Sequence, residues 1–487
     1  MQFVIKLFPE INLKSHSIQR RLTAILQSNL HQILSRFDPG VVVKREWDKI
    51  VVTSGPHSCA TSAQYVQALV CVPGLQYILE VEVQPFQTLD DILQHTQAIW
   101  GQQLAGKTFC VRVRRNGQHD FTSLQVQQFV GAGLHDNYPN AGVDLRQPDV
   151  LIQLEVVGQT LYLVRATHHG LGGYPLATQD DVLSMLSGGF DSAVASFQFI
   201  KRGCRVHYCF FNLGGAEHLR GVQQMAYLLW SKYASTHNAQ LIAVDFAAVM
   251  SDIVQHIPQG NQGVVLKRMM LRAAQQVARR LQAVAVVTGE AVGQVASQTL
   301  ANLQVIDAAS TGLVMRPLAS WDKPDIIAMA HRIGVAELSE TIPEYCGAIS
   351  KNPTIKANLG KVEAEEKRCD QALLVQAVEQ AVWYEVRDLW DVATAEQSGQ
   401  ASGLSAMLLH PGDIVIDVRT PDEAAAQPLR LAHNSVCCIP YYKIGSEFAR
   451  LDASKTYFLY CERGLMSQLQ AEHLVQRGFA NVKVYHG

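Results

Sequence analysis

The run Ser187-Gly188-Gly189-Phe190-Asp191-Ser192 follows the apolar residues 182–186 and precedes a helical pattern closed by Gly203. Strand, glycine turn and helix start coincide there. Adjacent glycines let the backbone approach a ligand closely, and the unpaired N–H groups of a helix's first turn bind anions with the help of the helix dipole. A phosphate suits such a turn; so does a plain strand-to-helix connection in which Asp191 or Ser192 only caps the helix. A second candidate is Cys461, between the strand-like residues 457–460 and the helical residues 467–476. Its sulfur would face backbone N–H groups and the positive end of a helix, which favours a thiolate or an anionic persulfide, although most cysteines are plain core residues. A third is Cys346, in Glu344-Tyr345-Cys346-Gly347-Ala348, on a Pro-flanked loop from which an unpaired thiol could reach both a substrate and Cys461.

Other residues are individually less telling. Lys267, the turn Thr288-Gly289-Glu290, Gln298, Arg316-Pro317-Leu318 and Lys323 punctuate the region after the glycine turn, and each alone fits a solvated face or an ordinary turn. In residues 107–115 the two-residue period of a strand sets Phe109, Val111 and Val113 on one face and Arg112 and Arg114 on the other. No carboxylate interrupts residues 107 to 119, so Lys107, Arg112, Arg114 and Arg115 could meet the phosphates of a nucleic acid; a solvated strand face has the same pattern.

These residues need several domains to position them. The chain has 487 residues, against a prior of roughly 150 per domain, so three or four domains are expected. Hydrophobic residues at 48% and charged residues at 17% are globular proportions and argue against disorder. A net charge of -2 excludes a global attraction to nucleic acid, leaving any such contact to a local patch. Residues 1–10 read as an alternating strand rather than a secretory signal, and no stretch approaches the roughly 18 apolar residues of a membrane span. A cytoplasmic protein with no membrane partner is expected. Ten cysteines without a CxxC pair argue for reduced thiols and against a structural metal site.

Periodicity predicts a small α+β module over residues 1–62, with strands at 3–7, 41–43 and 50–52 and a helix at 17–34. A second α+β unit is predicted over 63–167, with helices near 62–71, 90–104 and 123–133 and strands at 77–83, 108–113, 150–156 and 160–164. The Gly-rich segment 170–175 marks a boundary. From there to residue 393, the strands 182–186, 206–213, 240–246 and 284–288 alternate with helices, which predicts a doubly wound parallel sheet. Residues 394–406 read as a linker, and 407–487 as a final α/β unit.

The hexapeptide resembles the SGGxDS loop of the PP-loop ATP pyrophosphatases and lacks the Gly-Lys-Ser/Thr ending of a Walker loop. That resemblance implies cleavage of ATP between its α and β phosphates, with Mg2+ beside Asp191. The basic strand, with residues 131–133 and the strands behind it, resembles the RNA-binding THUMP domain preceded by a ferredoxin-like domain. Asp417-Val418-Arg419, the Cys461 loop and the Gly-Phe-x-Asn-Val ending together resemble a rhodanese domain. A cysteine phosphatase would need an arginine at position 467, which is serine.

The order ferredoxin-like, THUMP, PP-loop, rhodanese resembles the long form of the tRNA 4-thiouridine synthase family over the whole chain. The resemblance implies Met185 and Leu186 at the adenine, Ser187, Gly188, Gly189 and Ser192 in the phosphate loop, and Lys267, Gly289 and Gln298 around ATP. It implies Asp191 in the loop and Lys323 near the transfer site, with Cys461 and Cys346 handling sulfur and joining in a disulfide as sulfur leaves. Its implied partners are tRNA, a cysteine desulfurase and a thiocarboxylate sulfur-carrier protein for the thiamine thiazole, with a homodimer compatible. Two rivals are a non-catalytic tRNA-binding protein with a lapsed loop and an amide-forming PP-loop ligase. The intact loop opposes the first, and the rhodanese-like tail in place of an ammonia-producing domain opposes the second.

Overall fold

The computed structural model describes residues 1–46, 49–342, 352–389, 409–410, 412–419, 424, 427–431, 433–440, 443–444, 447–461, 467, 470–471, 474–475 and 479–485. The chain divides into two compact units, Met1–Gln179 with Ile200–Cys204, and Asp180–Phe199 with Arg205–Gly487. The first unit contains β1 (Gln2–Leu7), β2 (Val42–Arg45), β3 (Lys49–Thr53), β4 (Leu75–Pro85), β5 (Thr108–Asn116), β6 (Gly142–Val143), β7 (Val150–Val157) and β8 (Thr160–His169). They form one sheet in the order β2-β3-β1-β4-β8-β7-β5-β6.

The two modules expected from the sequence thus share a sheet, because the 11-residue β4 pairs antiparallel with β1 on one edge and with β8 on the other. Alternation sorts the side chains of β1. Phe3, Ile5 and Leu7 join Leu22, Leu26 and Leu30 of helix His16–Leu34, while Val4 packs with Leu79, Val81, Tyr162 and Val164. The first of these clusters also takes Tyr65, Leu69, Val72, Leu75 and Ile78, so its core runs across residue 62. A separate cluster holds Phe109, Val111 and Val113 of β5 with Val126, Val130 and Leu134 of helix Ser123–Asn137. Helices Ser62–Leu69, Leu89–Trp100 and Ser123–Asn137 each begin with a reciprocal capping box, on Thr61, Thr88 and Thr122. Each threonine satisfies an otherwise orphaned backbone N–H and contributes about 1 kcal/mol. The helix expected over 90–104 ends as an α-helix at Trp100, and its last turn, Gly101–Leu104, is 3-10.

The second unit contains β9 (Val182–Met185), β10 (Val206–Asn212), β11 (Gln240–Asp245), β12 (Ala285–Val287), β13 (Leu313–Met315) and β14 (Val382–Glu385), in the order β13-β12-β9-β10-β11-β14. Five of the strands run parallel, wound in both directions from β9. The expectation of a wholly parallel sheet is corrected at β14, which lies antiparallel to β11. Val382 and Trp383 are exposed there, and an edge strand of this kind departs from the apolar pattern of the buried parallel strands. The long helix Gln259–Leu281 buries its apolar face in the core, and its Arg268 is fully buried against Glu366, with a further hydrogen bond to the Val305 carbonyl. That pair ties helix Leu359–Glu366 to the sheet domain.

A third sheet is made of β15 (Ile414–Asp417), β16 (Ser435–Cys438), β17 (Tyr457–Tyr460) and β18 (Val482–Tyr485), in the order β16-β15-β17-β18 and parallel throughout. Ile416, Leu459 and Val484 share its core with Phe448 and Leu474. The expected linker, 394–406, lies outside the described residues. Among the described residues no helix is long and apolar enough to cross a membrane.

Candidate functional site

Chains that wind outward from one strand leave a crevice at its carboxyl end, because the loops after it and after its reversed neighbour depart in opposite directions. Here β9 and β12 are those neighbours. The loop after β9 carries Ser187 to Gly189, and the loop after β12 carries Thr288, Gly289 and Glu290. Gly188 has φ +88, a left-handed backbone that glycine adopts without a Cβ penalty. Gly289 is needed for a different reason: a Cβ there would lie 2.6 Å from the backbone carbon of Asp191, so only glycine lets the two loops close on each other.

The glycine loop is stitched from within. Ser187 N–H donates to Ser192 Oγ at 3.1 Å, and the Ser192 hydroxyl donates to the Gly189 carbonyl at 3.1 Å. His218 Nε2 lies 3.1 Å from the Ser187 carbonyl. Burial pushes the His218 imidazole below its usual pKa, against the opposing hydrogen bond to Ser187, so it is neutral and donates from Nε2. Ser192 thus shapes the turn from within the first helical turn. Leu186 is buried and donates its N–H to the Cys209 carbonyl at 2.9 Å, while Met185 is half-buried against the main core.

Asp191, in the first turn of helix Phe190–Lys201, meets Lys323, the first residue of helix Lys323–Ile333, at 2.8 and 2.9 Å from its two oxygens. Gln294 Nε2 donates to Asp191 Oδ2 at 2.9 Å. Across the crevice, Glu290 is buried and receives Lys267 Nζ at 2.7 Å, Arg316 Nε at 2.9 Å and the Thr288 hydroxyl at 3.1 Å. Burial alone would raise the pKa of Glu290, but Lys267 and Arg316 outweigh it and hold the carboxyl below the usual glutamate value. Gln298 is 8% exposed, and among the described residues its Oε1 has no hydrogen-bond partner. A buried acceptor left open costs free energy unless a ligand donor reaches it.

The structure therefore brings together Asp191 with Lys323, Gly289 with the Asp191 turn, and Lys267 with Glu290. Sequence reasoning missed His218 and Gln294. Neither belongs to a local motif, and Gln294 reaches Asp191 from 103 positions away. Cys346 lies outside the described residues.

In the third sheet, Cys461 follows β17 and is buried at 7% exposure. Ser467 donates its backbone N–H to Cys461 Sγ at 3.3 Å, and the Ser467 hydroxyl stands 3.5 Å from the same sulfur. The sulfur thus sits against the first described backbone N–H after the strand. On the adjoining strand Asp417 and Arg419 form a buried pair at 2.6 and 2.9 Å, with the guanidinium 5.2 Å from the Tyr460 ring centroid. Cys437 and Cys438 close β16, and burial pushes the Cys437 thiol above its usual pKa.

On β5 the expected alternation holds: Phe109, Val111 and Val113 are buried, and Arg112, Arg114 and Arg115 are exposed, as is Lys107 just before the strand. Arg112 donates to the Leu145 carbonyl at 2.7 Å and Arg115 to the Gly117 carbonyl at 3.0 Å, so two of the cations are oriented by loop backbone.

The profile of the family described as Thiamine biosynthesis protein (ThiI) matches residues 177–371, and that of the THUMP domain matches residues 86–164. The sequence is 51% identical over 485 residues to the tRNA sulfurtransferase of Aeromonas salmonicida (strain A449), covering 100% of both chains. It is 48% identical over 485 residues to the tRNA sulfurtransferase of Shewanella woodyi, again covering 100% of both. A crystal structure of a 4-thiouridine synthetase in complex with RNA and bound ATP matches at a TM-score of 0.68 and 23% identity, covering 79% of this chain and 99% of that one. At that identity the likeness speaks for the fold.

Proposed function

The chain belongs to the tRNA sulfurtransferase family, and we propose that its crevice uses ATP to activate a tRNA uridine whose oxygen is then replaced by sulfur carried on Cys461. The observation that carries this reading is the meeting of the glycine loop, Asp191 and Lys323 at the switch point between β9 and β12. Loop N–H groups at Gly188 and Gly189 and the start of the following helix suit the β and γ phosphates. Met185 and Leu186 border the adenine, and the open Oε1 of Gln298 is an acceptor for an amine or hydroxyl of the nucleotide. Lys267 adds positive charge on the other side of the crevice. Asp191 is the carboxylate that would hold Mg2+, which takes few protein oxygens and completes its shell with phosphate and water. Magnesium, when bound, would neutralise charge on the phosphates.

In this reading the uridine 4-oxygen attacks the α phosphorus and pyrophosphate departs, leaving the oxygen as part of an AMP leaving group. A cysteine desulfurase loads Cys461 with a persulfide. Its terminal sulfur attacks the activated carbon and expels AMP, or is first released as sulfide by a thiolate. In the direct route a Cys346 thiolate then attacks the Cys461 sulfur, forming a Cys346–Cys461 disulfide and freeing the thiolated base. The uridine is the one near position eight of the tRNA. The exposed cations of β5 hold the tRNA backbone, and the sulfur also serves a thiocarboxylate carrier protein for the thiamine thiazole.

We assign residues 168–393 to the PP-loop domain and 407–487 to the rhodanese-like domain. We assign residues 1–62 to the ferredoxin-like part and 63–167 to the THUMP part; the THUMP profile match at residues 86–164 supports the second. Nucleoside mass spectrometry of tRNA from a deletion strain tests the function. Loss of 4-thiouridine, restored by the wild-type chain and not by Asp191→Asn, is expected; normal 4-thiouridine in the deletion strain would overturn the reading.

A further inference from the structure

We propose that Glu290 is a positioning residue that fixes the Lys267 ammonium in the nucleotide crevice, with Arg316 as its own anchor. This rests on the nucleotide reading given above. Each carboxylate oxygen of Glu290 has its own cation: Oε1 takes Lys267 Nζ at 2.7 Å, and Oε2 takes Arg316 Nε at 2.9 Å. Thr288 Oγ1 adds a hydrogen bond to Oε2 at 3.1 Å. Arg316 is itself held from the far side, with its two terminal nitrogens 2.6 and 3.0 Å from the oxygens of Asp307.

The carboxylate plane is therefore fixed from three directions. A lysine side chain is a compact point charge on a flexible four-carbon stem, so by itself Lys267 would sample many positions in the crevice. A buried, oriented carboxylate selects one of them. The two cations and two carboxylates are balanced in sign, and within that balanced cluster Glu290 sets where the ammonium stands. Its effect should then fall on the chemical step, because a misplacement of about 1 Å in a catalytic group can cost about 100-fold in rate.

The test is a double-mutant cycle on single-turnover pyrophosphate release with ATP and tRNA. Glu290→Gln keeps the shape but turns an amide N–H toward one of the two cations. It should slow release by about tenfold while the ATP concentration for half-maximal rate stays within about threefold. Lys267→Met should slow release by about 100-fold, and the double variant should be no slower than Lys267→Met alone, because an unplaced lysine and an absent one forfeit the same interaction. Arg316→Lys, which keeps the charge but gives up the two-point grip on Asp307, should fall between wild type and Glu290→Gln. It carries the same cycle should Glu290→Gln fail to fold. Losses that multiply in the double variant, or a Glu290→Gln enzyme at the wild-type rate beside a crippled Lys267→Met, would overturn the positioning role and leave the nucleotide reading standing. A wild-type rate in Lys267→Met would overturn both.

Discussion

Lys323 Nζ lies between the two carboxylate oxygens of Asp191, at 2.8 and 2.9 Å, and so joins the first turns of two helices that are 132 positions apart in sequence. Lys323 stays 38% exposed in its side chain and Asp191 18%, so the pair faces the crevice rather than the core. Asp191→Asn and Lys323→Met should each lower pyrophosphate release by at least about 100-fold, the scale of losing one preorganised charge at a reacting centre. The double variant should be little worse than either, since the two act as a unit. Filter binding on the same preparations should show tRNA affinity within about twofold of wild type. Wild-type pyrophosphate release in either variant would remove the pair from the chemistry.

Arg112→Ala combined with Arg114→Ala should weaken tRNA binding and flatten its dependence on salt. Each lost phosphate contact removes about 0.9 from the slope of log affinity against log salt, so the pair should remove about 2. ATP binding should survive. An unchanged slope would make the exposed face of β5 an ordinary solvated surface.

The glycine loop and the face pattern of β5 could be read from the sequence because each depends on neighbours a few positions away: a strand end, two glycines and a helix start, or an alternation of two. The partners of the loop could not. Asp191 finds Lys323 and Gln294 from 132 and 103 positions away, and Glu290 finds Lys267 and Arg316 from 23 and 26. Pairing across a sheet is nonlocal in the same way. That β4 would serve both β1 and β8 and merge two expected modules, or that β14 would turn antiparallel at the edge, depends on what lies beside each strand rather than within it. Gly289 read as an ordinary turn residue, and only the approach of the Asp191 backbone shows why a side chain cannot stand there.

Arg268 and Glu366 are both almost fully buried and joined at 2.6 and 3.1 Å, with Arg272 also on Glu366 at 2.7 Å. Removing one partner strands an uncompensated buried charge, so Glu366→Ala should destabilise the PP-loop domain by about 3–5 kcal/mol in urea titrations. Exchanging Arg268 and Glu366 together for methionine and leucine should cost much less, provided the packing is kept. Equal losses in the single and paired variants would contradict this account.

Glu290 adds a dependence on pH. Its folded pKa lies below the ordinary glutamate value of 4.5, held down by Lys267 and Arg316 against the upward pull of burial. Between the two values the unfolded chain binds more protons than the folded one, so the stabilisation is complete above the unfolded value and is lost as pH falls through the folded one. Denaturant midpoints measured from pH 7 downward should therefore show the gap between wild type and Glu290→Gln narrowing below about 4.5. A gap that stays constant to the acid limit would mean the carboxyl is not held ionised by its two cations.

Cys461 stands with its sulfur 3.3 Å from the Ser467 N–H, and the role proposed for it is that of carrier. If a cysteine desulfurase loads that sulfur, the wild-type peptide containing Tyr460-Cys461-Glu462 should gain the mass of one sulfur atom, Cys461→Ser should gain none, and Cys346→Ser should still be loaded. Transfer to the activated uridine then consumes the persulfide and leaves the two cysteines joined, whichever route the sulfur takes. An oxidised pair has no thiolate left to accept sulfur, so thiolation without a thiol reductant should stop after about one turnover and resume on addition of dithiothreitol. Peptide mapping of the stalled enzyme should find Cys346 bonded to Cys461. Sustained turnover without reductant, or a persulfide on Cys346 while Cys461 remains bare, would reverse the assignment of the two cysteines.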